Sequence, residues 1–259
     1  MCLEVAYRMG NQCLSFVFAF YCYDIPMNET GHNKKVSDNL FAATLLAAVK
    51  SIELDLKAEQ VEDMYRHYQL VVEANRRFNL TRITAPAEAA VKHYADSLAP
   101  LVDPRYADDR TLTILDVGTG AGFPAVPLAI VRPRWRITAI DGTGKKARFV
   151  ADAVRALGLE NLEAVHGRAA ELARERPASF DLILLRAVGT LAKGLQETHR
   201  LLRPGGAAIF YKTASLDPAE RREGRDTAER LGLRPQDDCD LTLHDPDGPL
   251  MRKLIRYEK

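Results

Sequence analysis

The 259-residue chain reads as an α/β domain with a mostly parallel sheet, preceded by a helical segment. Three observations predict this. From Thr111 onward, short apolar runs alternate with stretches of helix length, the pattern of a parallel sheet with helices on both faces. Near the end, Asp240–His244 and Leu250–Tyr257 form two strand-like runs joined through Asp245-Pro246-Asp247-Gly248. Asp-Gly after Pro-Asp is a strong reversal signal, so the sheet should close with an antiparallel hairpin. Between residues 39 and 98, apolar residues recur instead at helical spacing. The expected division is an atypical, disordered or non-native extension over 1–38, a helical segment over 39–108 and the α/β domain over 109–259.

The elements follow in order. Leu40, Leu45, Leu46, Val49, Ile52 and Leu56 predict a helix over 39–57. Val61, Met64, Tyr65, Tyr68, Leu70 and Val71 predict a second, from Ala58 to Asn75. A third starts at Pro86, which suits a first helical turn, and runs to about Leu98. Leu112–Val117 is a strand ending in glycines, and Phe123–Val131 a helix. Arg136–Ile140 is a strand ending at Asp141, and Lys145–Leu157 a helix closed by Gly158. Leu162–His166 and Phe180–Leu185 are strands around a short helix, Arg168–Arg176, which Pro177 stops. Leu191–Leu202 is a helix, Pro204-Gly205-Gly206 a turn, Ala207–Tyr211 a strand and Ala219–Leu231 a helix.

Composition bounds the function. With 36 basic and 35 acidic residues, the net charge of +1 is too balanced for a purely electrostatic nucleic-acid binder, but it leaves room for a local basic face. Of the four cysteines, Cys2, Cys13 and Cys22 lie near the start and Cys239 near the end. There is no CxxC pair and no His/Cys cluster with zinc spacing, so no metal is expected. The main body suits a reducing cytoplasm. The apolar stretch Cys13–Tyr23 is shorter than the ~20 residues a bilayer span needs, so no membrane role is expected. That stretch reads as a signal-peptide core after Arg8, as a buried or disordered extension, or as residues upstream of a true start at Met27. The last is preferred, because no small-x-small cleavage site follows and Asp24-Ile25-Pro26 ends the run abruptly.

The chemistry centres on Asp116-Val117-Gly118-Thr119-Gly120-Ala121-Gly122. The spacing is GxGxG, not the GxGxxG of dinucleotide binders. Glycines let the backbone turn tightly and approach a ligand, and the following helix presents its amides. Asp141 ends the next strand, 19 residues after Gly122. A carboxylate there can accept both hydroxyls of a ribose. Its structural alternative is to cap the helix over 145–157, a task open to Thr143 as well. Turn and carboxylate together point to a nucleoside. With the closing hairpin they give the outline of a class I S-adenosylmethionine-dependent methyltransferase, a Rossmann-like seven-stranded sheet.

Several segments resemble one family. ILDVGTGAGFPAVPLAI, GKKARFV and FDLILLRAV, with Phe78-Asn79-Leu80-Thr81 and His93-Tyr94-Ala95-Asp96-Ser97-Leu98 upstream, resemble the bacterial 16S ribosomal RNA (guanine-N7)-methyltransferases, the glucose-inhibited division protein B family. The resemblance runs from about residue 40 to the C-terminus. It implies S-adenosyl-L-methionine as cofactor and 16S rRNA of the small ribosomal subunit as partner; a monomer is expected. It also implies that Gly118, Gly120 and Phe123 line the cofactor, that Asp141 holds its ribose and that Ala169 and Ala170 lie beside the adenine. Arg186, at the mouth of a uniformly apolar strand, would sit at the reactive end as the catalytic residue. Two positions depart from the family. Ala170 stands where an acidic residue is common, which shifts that role to Glu171, and Lys212-Thr213 replaces Lys-Gly.

Guanine N7 carries an exposed lone pair, so no general base is required and positioning is the main catalytic task. This agrees with a sequence lacking an Asn-Pro-Pro-Phe-type motif and a catalytic cysteine. For RNA contacts the candidates are Asn79, His93, Lys145, Lys146, Arg148 and Lys212, with Arg76, Arg77, Arg82 and Lys92 nearby. Each has a plain structural alternative: a solvated charged face for the cations, a buried helix histidine for His93, a turn cap for Asn79. Arg132, Arg134, Arg136 and the run 221–230, where charges alternate in sign, read as solvated faces. The competing functions are a class I methyltransferase acting on a small molecule or protein, and an NAD-binding module.

Overall fold

The computed structural model describes residues 7–9, 12–14, 32–106 and 110–259, with side chains from Leu40 onward. The chain divides into two compact units, Met1–Lys35 and Val36–Lys259. The first holds a two-stranded antiparallel ribbon, β1 (Tyr7–Met9) and β2 (Gln12–Leu14). The reading of a start at Met27 falls largely outside the described residues.

The main unit begins with helices. α1 spans His32–Lys50, so it starts earlier and ends earlier than the 39–57 that periodicity predicts. Its end has a physical cause. Glu53 takes a left-handed φ of 58°, the Leu54 amide donates to Val49 O (3.0 Å) and the Glu53 amide to Lys50 O (3.1 Å). This is a Schellman cap without its usual glycine. α2 (Ala58–Asn75) matches expectation. α3 (Pro86–Ala89) runs straight into a π-helical stretch, Ala90–Ala95, which widens the helix around His93.

The strands follow: β3 (Thr113–Val117), β4 (Arg136–Asp141), β5 (Leu162–His166), β6 (Phe180–Arg186) and β7 (Leu202–Thr213). Between them lie α4 (Ala125–Val131), α5 (Gly144–Leu157), α6 (Ala169–Glu175) and α7 (Leu191–Thr198). α8 (Pro218–Arg230) precedes the two-residue β8 (Arg234–Pro235), then β9 (Cys239–Leu243) and β10 (Leu250–Glu258). The order is β5-β4-β3-β6-β7-β10-β8, with β9 also paired to β10. β3 to β7 are parallel; β10 runs antiparallel to β7, β8 and β9. Seven strands were expected, and β8 makes the eighth. Pro204-Gly205-Gly206 is no free turn. It bulges inside β7, whose register to β6 jumps between Phe180 and Leu182.

Both faces of the sheet are buried. Leu182 and Leu184 of β6 join the core cluster shared with α1, α2, α4 and α5, while Ile183 and Leu185 join the cluster under α6, α7 and α8. That two-sided burial explains the unbroken apolar run before Arg186. Connections leave β3 toward β4 on one side, while β6 lies on the other, so strand order reverses between β3 and β6. Sheets of this kind hold their ligands outside the carboxyl ends of the strands at that reversal.

Candidate active site

At the reversal, β3 gives way to the glycine turn. Gly118, Gly120 and Gly122 have φ of 72°, 60° and 94°, a region L side chains rarely enter. The Gly118 and Thr119 amides both donate to Ile140 O, at 2.8 and 3.2 Å, which stitches the turn to β4. A Cβ on Gly118 would meet Val188 Cγ1 at 3.0 Å. One on Gly120 would meet only Gly118 O, at 3.9 Å. The turn is thus closed by Val188 at Gly118 and by Val126 at Gly122, and open at Gly120 between them, where a ligand can lie against bare backbone.

Asp141 is almost fully buried, and each carboxylate oxygen is engaged. Oδ2 accepts from the Gly120 amide (3.0 Å) and Oδ1 from the Thr143 amide (2.7 Å). It therefore does structural work at the start of α5, whose N-cap position is Thr143. A carboxylate offers about four lone-pair sites, so two remain for hydroxyl donors. Asp116 lies fully buried beneath the turn and accepts from the Ala125 amide (3.2 Å), which leaves its Oδ1 without a partner. Burial pushes its pKa up to about 7 against the opposing pull of hydrogen bonds and Arg186. Thr119 Oγ1, also buried, is likewise unpartnered. The open backbone face at Gly120 leaves room for a ligand over this turn.

The loop after β5 brings Ala169 and Ala170 to the same edge. Gly167 donates to Asp141 O (3.1 Å). Ala169 packs into the core and Ala170 is exposed. Glu171 accepts from the Arg168 amide (3.2 Å), so its carboxylate caps α6.

Arg186 stands at the end of β6, its side chain 15% exposed. Its guanidinium donates to Ser97 Oγ (3.2 Å) and to the carbonyls of His93 (3.3 Å) and Lys92, and its Nε lies 3.2 Å from Asp96 Oδ2. Three hydrogen bonds and one ion pair from Arg186 thus hold the segment 92–97. Arg186 does pair with a carboxylate, as its structural alternative held, but the pair is buried and not at the surface. Asp96 is fully buried and also pairs with Arg252 (2.6 Å). The π-helical stretch supplies the carbonyls that Arg186 takes.

That segment lies against the turn. The His93 ring stacks on Phe123 at 4.5 Å and 16°, and its Nε2 meets Thr81 Oγ1 at 2.8 Å. Burial, then the Arg186 charge, lowers its pKa to about 3. His67, fully buried, bonds Tyr94 Oη through Nδ1 (2.9 Å) and sits edge-on to Phe123 at 5.3 Å. Burial lowers its pKa to about 3 as well. Both rings are neutral near pH 7.

The remaining expected residues lie in several places. Lys212 binds Glu220 (2.7 Å) and Gly189 O (3.0 Å), which ties β7 to the loop after β6. Lys145 and Arg148 are exposed on α5, and Lys146 is half-buried there. Asn79 is exposed and does not cap its own turn; Asn75 Oδ1 does that, accepting from Leu80 (2.7 Å) and Thr81 (3.0 Å). His67, Asp116, Asn75 and Arg252 were not foreseen as partners of the site. Asp96 lay inside a quoted segment without a role. Among the described residues, no group of three or more His, Cys, Asp or Glu is placed to hold a metal, and no helix is long and apolar enough to cross a membrane.

Residues 60–235 match the GidB family, described as rRNA small subunit methyltransferase G. The chain belongs to that family. Relatives called ribosomal RNA small subunit methyltransferase G include one from Leuconostoc citreum, 32% identical over 83% of this chain and 90% of that protein. One from Limosilactobacillus reuteri is 37% identical over 80% and 86%, and one from Gloeobacter violaceus 41% identical over 59% and 61%. The matched region spans the site from His67 to Lys212. In this chain the closing hairpin and the GxGxG turn are the parts a dinucleotide-binding module would lack.

Proposed function

We infer that this chain transfers a methyl group from S-adenosylmethionine to the 16S ribosomal RNA of the small subunit, at N7 of a guanine. The observation that carries this reading is the glycine turn tied to Asp141, at the strand-order reversal and inside the region matched by the family. Gly118, Gly120 and Phe123 would hold the cofactor over the turn, Asp141 its ribose, and Ala169 and Ala170 its adenine. When bound, the cofactor supplies an electrophilic methyl group on a positively charged sulfur.

The protein's own part is positioning. Arg186 fixes the His93 segment over the mouth. Phe123 and His93 form a dry aromatic wall. An uncharged His93 leaves that wall free of a cation that would repel the sulfonium. No residue must remove a proton from N7 before attack, so excluding water and fixing the approach account for the rate. Asn79, His93, Lys145, Lys146, Arg148 and Lys212 belong to the RNA side; of these, Lys212 acts by bracing the loop after β6. The reading includes a cytoplasmic monomer without a metal.

The test is transfer of a tritiated methyl group to small-subunit RNA from a strain lacking the enzyme, with the labelled position mapped. Label at one guanine N7 is expected. Label on another atom overturns the N7 assignment, and label on protein or small molecules alone overturns the RNA substrate.

A further inference from the structure

A groove of about 470 Å³ runs between α2 and α5, away from the glycine turn. Its floor is apolar: Leu70, Ala74 and Phe78 on one wall, Phe149, Ala153 and Ala156 on the other. Its rim carries Glu73, Arg77, Lys145, Arg148 and Asp152. The two acids are already answered. Glu73 pairs with Arg76 (3.1 Å) and Arg77 (3.4 Å), and Asp152 pairs with Arg155. Lys145 and Arg148 have no ion pair or side-chain hydrogen bond among the described residues. The groove therefore combines an uncovered apolar floor with uncompensated positive charge on one lip.

We propose that this groove is a second RNA subsite, separate from the methyl-transfer mouth, which takes an unpaired nucleobase on its floor and the adjoining phosphates on Lys145 and Arg148. The proposal rests on the rRNA methyltransferase reading and adds where the substrate is gripped. Single-stranded RNA is recognised by a positive groove that follows the backbone and by aromatic faces on which bases stack. Here Phe78 supplies a half-buried ring, and the two cations supply the phosphate contacts. The volume lies in the range of small-ligand pockets, large enough for a base and too small for a helix of another protein. The groove's inner wall packs against the rings behind the mouth. Phe149 of its wall lies 6.3 Å from the His67 ring, which faces Phe123. α5 itself begins three residues after Asp141. From Lys145 to Ala156 the helix advances roughly 16 Å, at about 1.5 Å per residue.

The experiment measures filter binding of protein-free small-subunit RNA to the full chain across a salt series, for wild type, Phe78→Leu and Arg148→Ala. Phe78→Leu keeps the apolar volume and removes the stacking face. It should weaken binding about tenfold with no change in salt slope. Arg148→Ala should lower the slope of log K against log salt by about 0.7, the value for one contact to a single strand. A misfolded variant has no reason to separate the two readouts in this way, and S-adenosylmethionine affinity checks the fold. Wild-type affinity and slope in both variants would overturn the subsite. So would normal binding to free RNA with loss of binding to the assembled subunit, which would make the groove a dock for a ribosomal protein. No binding of RNA by the wild-type chain would instead overturn the functional reading beneath it.

Discussion

Replacing Asp96 by Asn removes one negative charge from between two arginines. Asp96 is fully buried, and Arg186 and Arg252 are only 15% and 17% exposed at their side chains. Water can therefore do little to screen what remains. Breaking a buried ion pair from one side typically costs about 3–5 kcal/mol, because the surviving charge is left desolvated. The lower end applies here. Arg186 keeps the carbonyls of Lys92 and His93 and the Ser97 hydroxyl, and the Asn amide oxygen still accepts one bond. A loss of about 3 kcal/mol is a large fraction of the roughly 5–15 kcal/mol that holds a protein folded. At about 2–4 °C per kcal/mol for a domain of this size, the melting temperature should fall by roughly 6–12 °C. Urea unfolding followed by circular dichroism would show a lower midpoint at unchanged slope. The cycle of Asp96→Asn, Arg252→Met and the double variant should give a coupling of about 2 kcal/mol. A loss below about 1 kcal/mol, the range of exposed pairs, would refute the reasoning and mean that the triad is solvated.

Other outcomes follow from the same contacts. His67 and His93 titrate near pH 3 when folded and near the ordinary 6.5 when unfolded, so between those values the unfolded chain binds more protons and each histidine takes stability away as pH falls. Asp116, raised to about 7, acts in the opposite sense between 3.8 and 7: its contribution is present at low pH and lost as pH rises. From pH 6.5 to 5 the two histidines outweigh the one carboxyl, so unfolding free energy should fall, and His67→Gln should make it nearly flat; an unchanged slope in that variant would contradict the burial assigned to His67. Gly118→Ala places a methyl 3.0 Å from Val188 Cγ1 at a φ of 72°. Calorimetry should show at least a tenfold loss of S-adenosylmethionine affinity, partly recovered by adding Val188→Ala, since shortening Val188 relieves the contact but not the backbone strain. Arg186→Ala should lower kcat/KM at least tenfold and also the urea midpoint; a wild-type midpoint would mean that its contacts to 92–97 are dispensable.

Much of this was legible in the sequence, and the reason can be seen at paired sites. α1 and α5 end in the same cap. At α5 the left-handed residue is Gly158, which announces the end; at α1 it is Glu53, and apolar Ile52 before it and Leu56 after it carry the helical rhythm across it. The glycine turn and Asp141 were readable because a local backbone demand selects glycine and a strand end marks the carboxylate. What could not be read was pairing across distance. Asp96 and Arg252 are 156 residues apart, and nothing near either announces the other. Arg186 was expected at the reactive end because charge appears at a strand mouth; it does end β6, but most of its donors face the His93 segment. The same limit applied to Asn79, where the binding amide turned out to be four residues earlier, at Asn75.

The last strand in chain order, β10, is not the last in space: it lies between β7 on one side and β8 and β9 on the other, and carries Arg252 to Asp96. A chain emerging from the ribosome can thus assemble β3 to β7 and the glycine turn while the charge at the base of the mouth stays half answered. Only when the final segment inserts does Asp96 gain its second arginine and the His93 wall its full anchor. Insertion of β10 becomes a condition for a firm mouth, so a chain lacking Arg252 would hold a nucleoside more loosely than one that contains it.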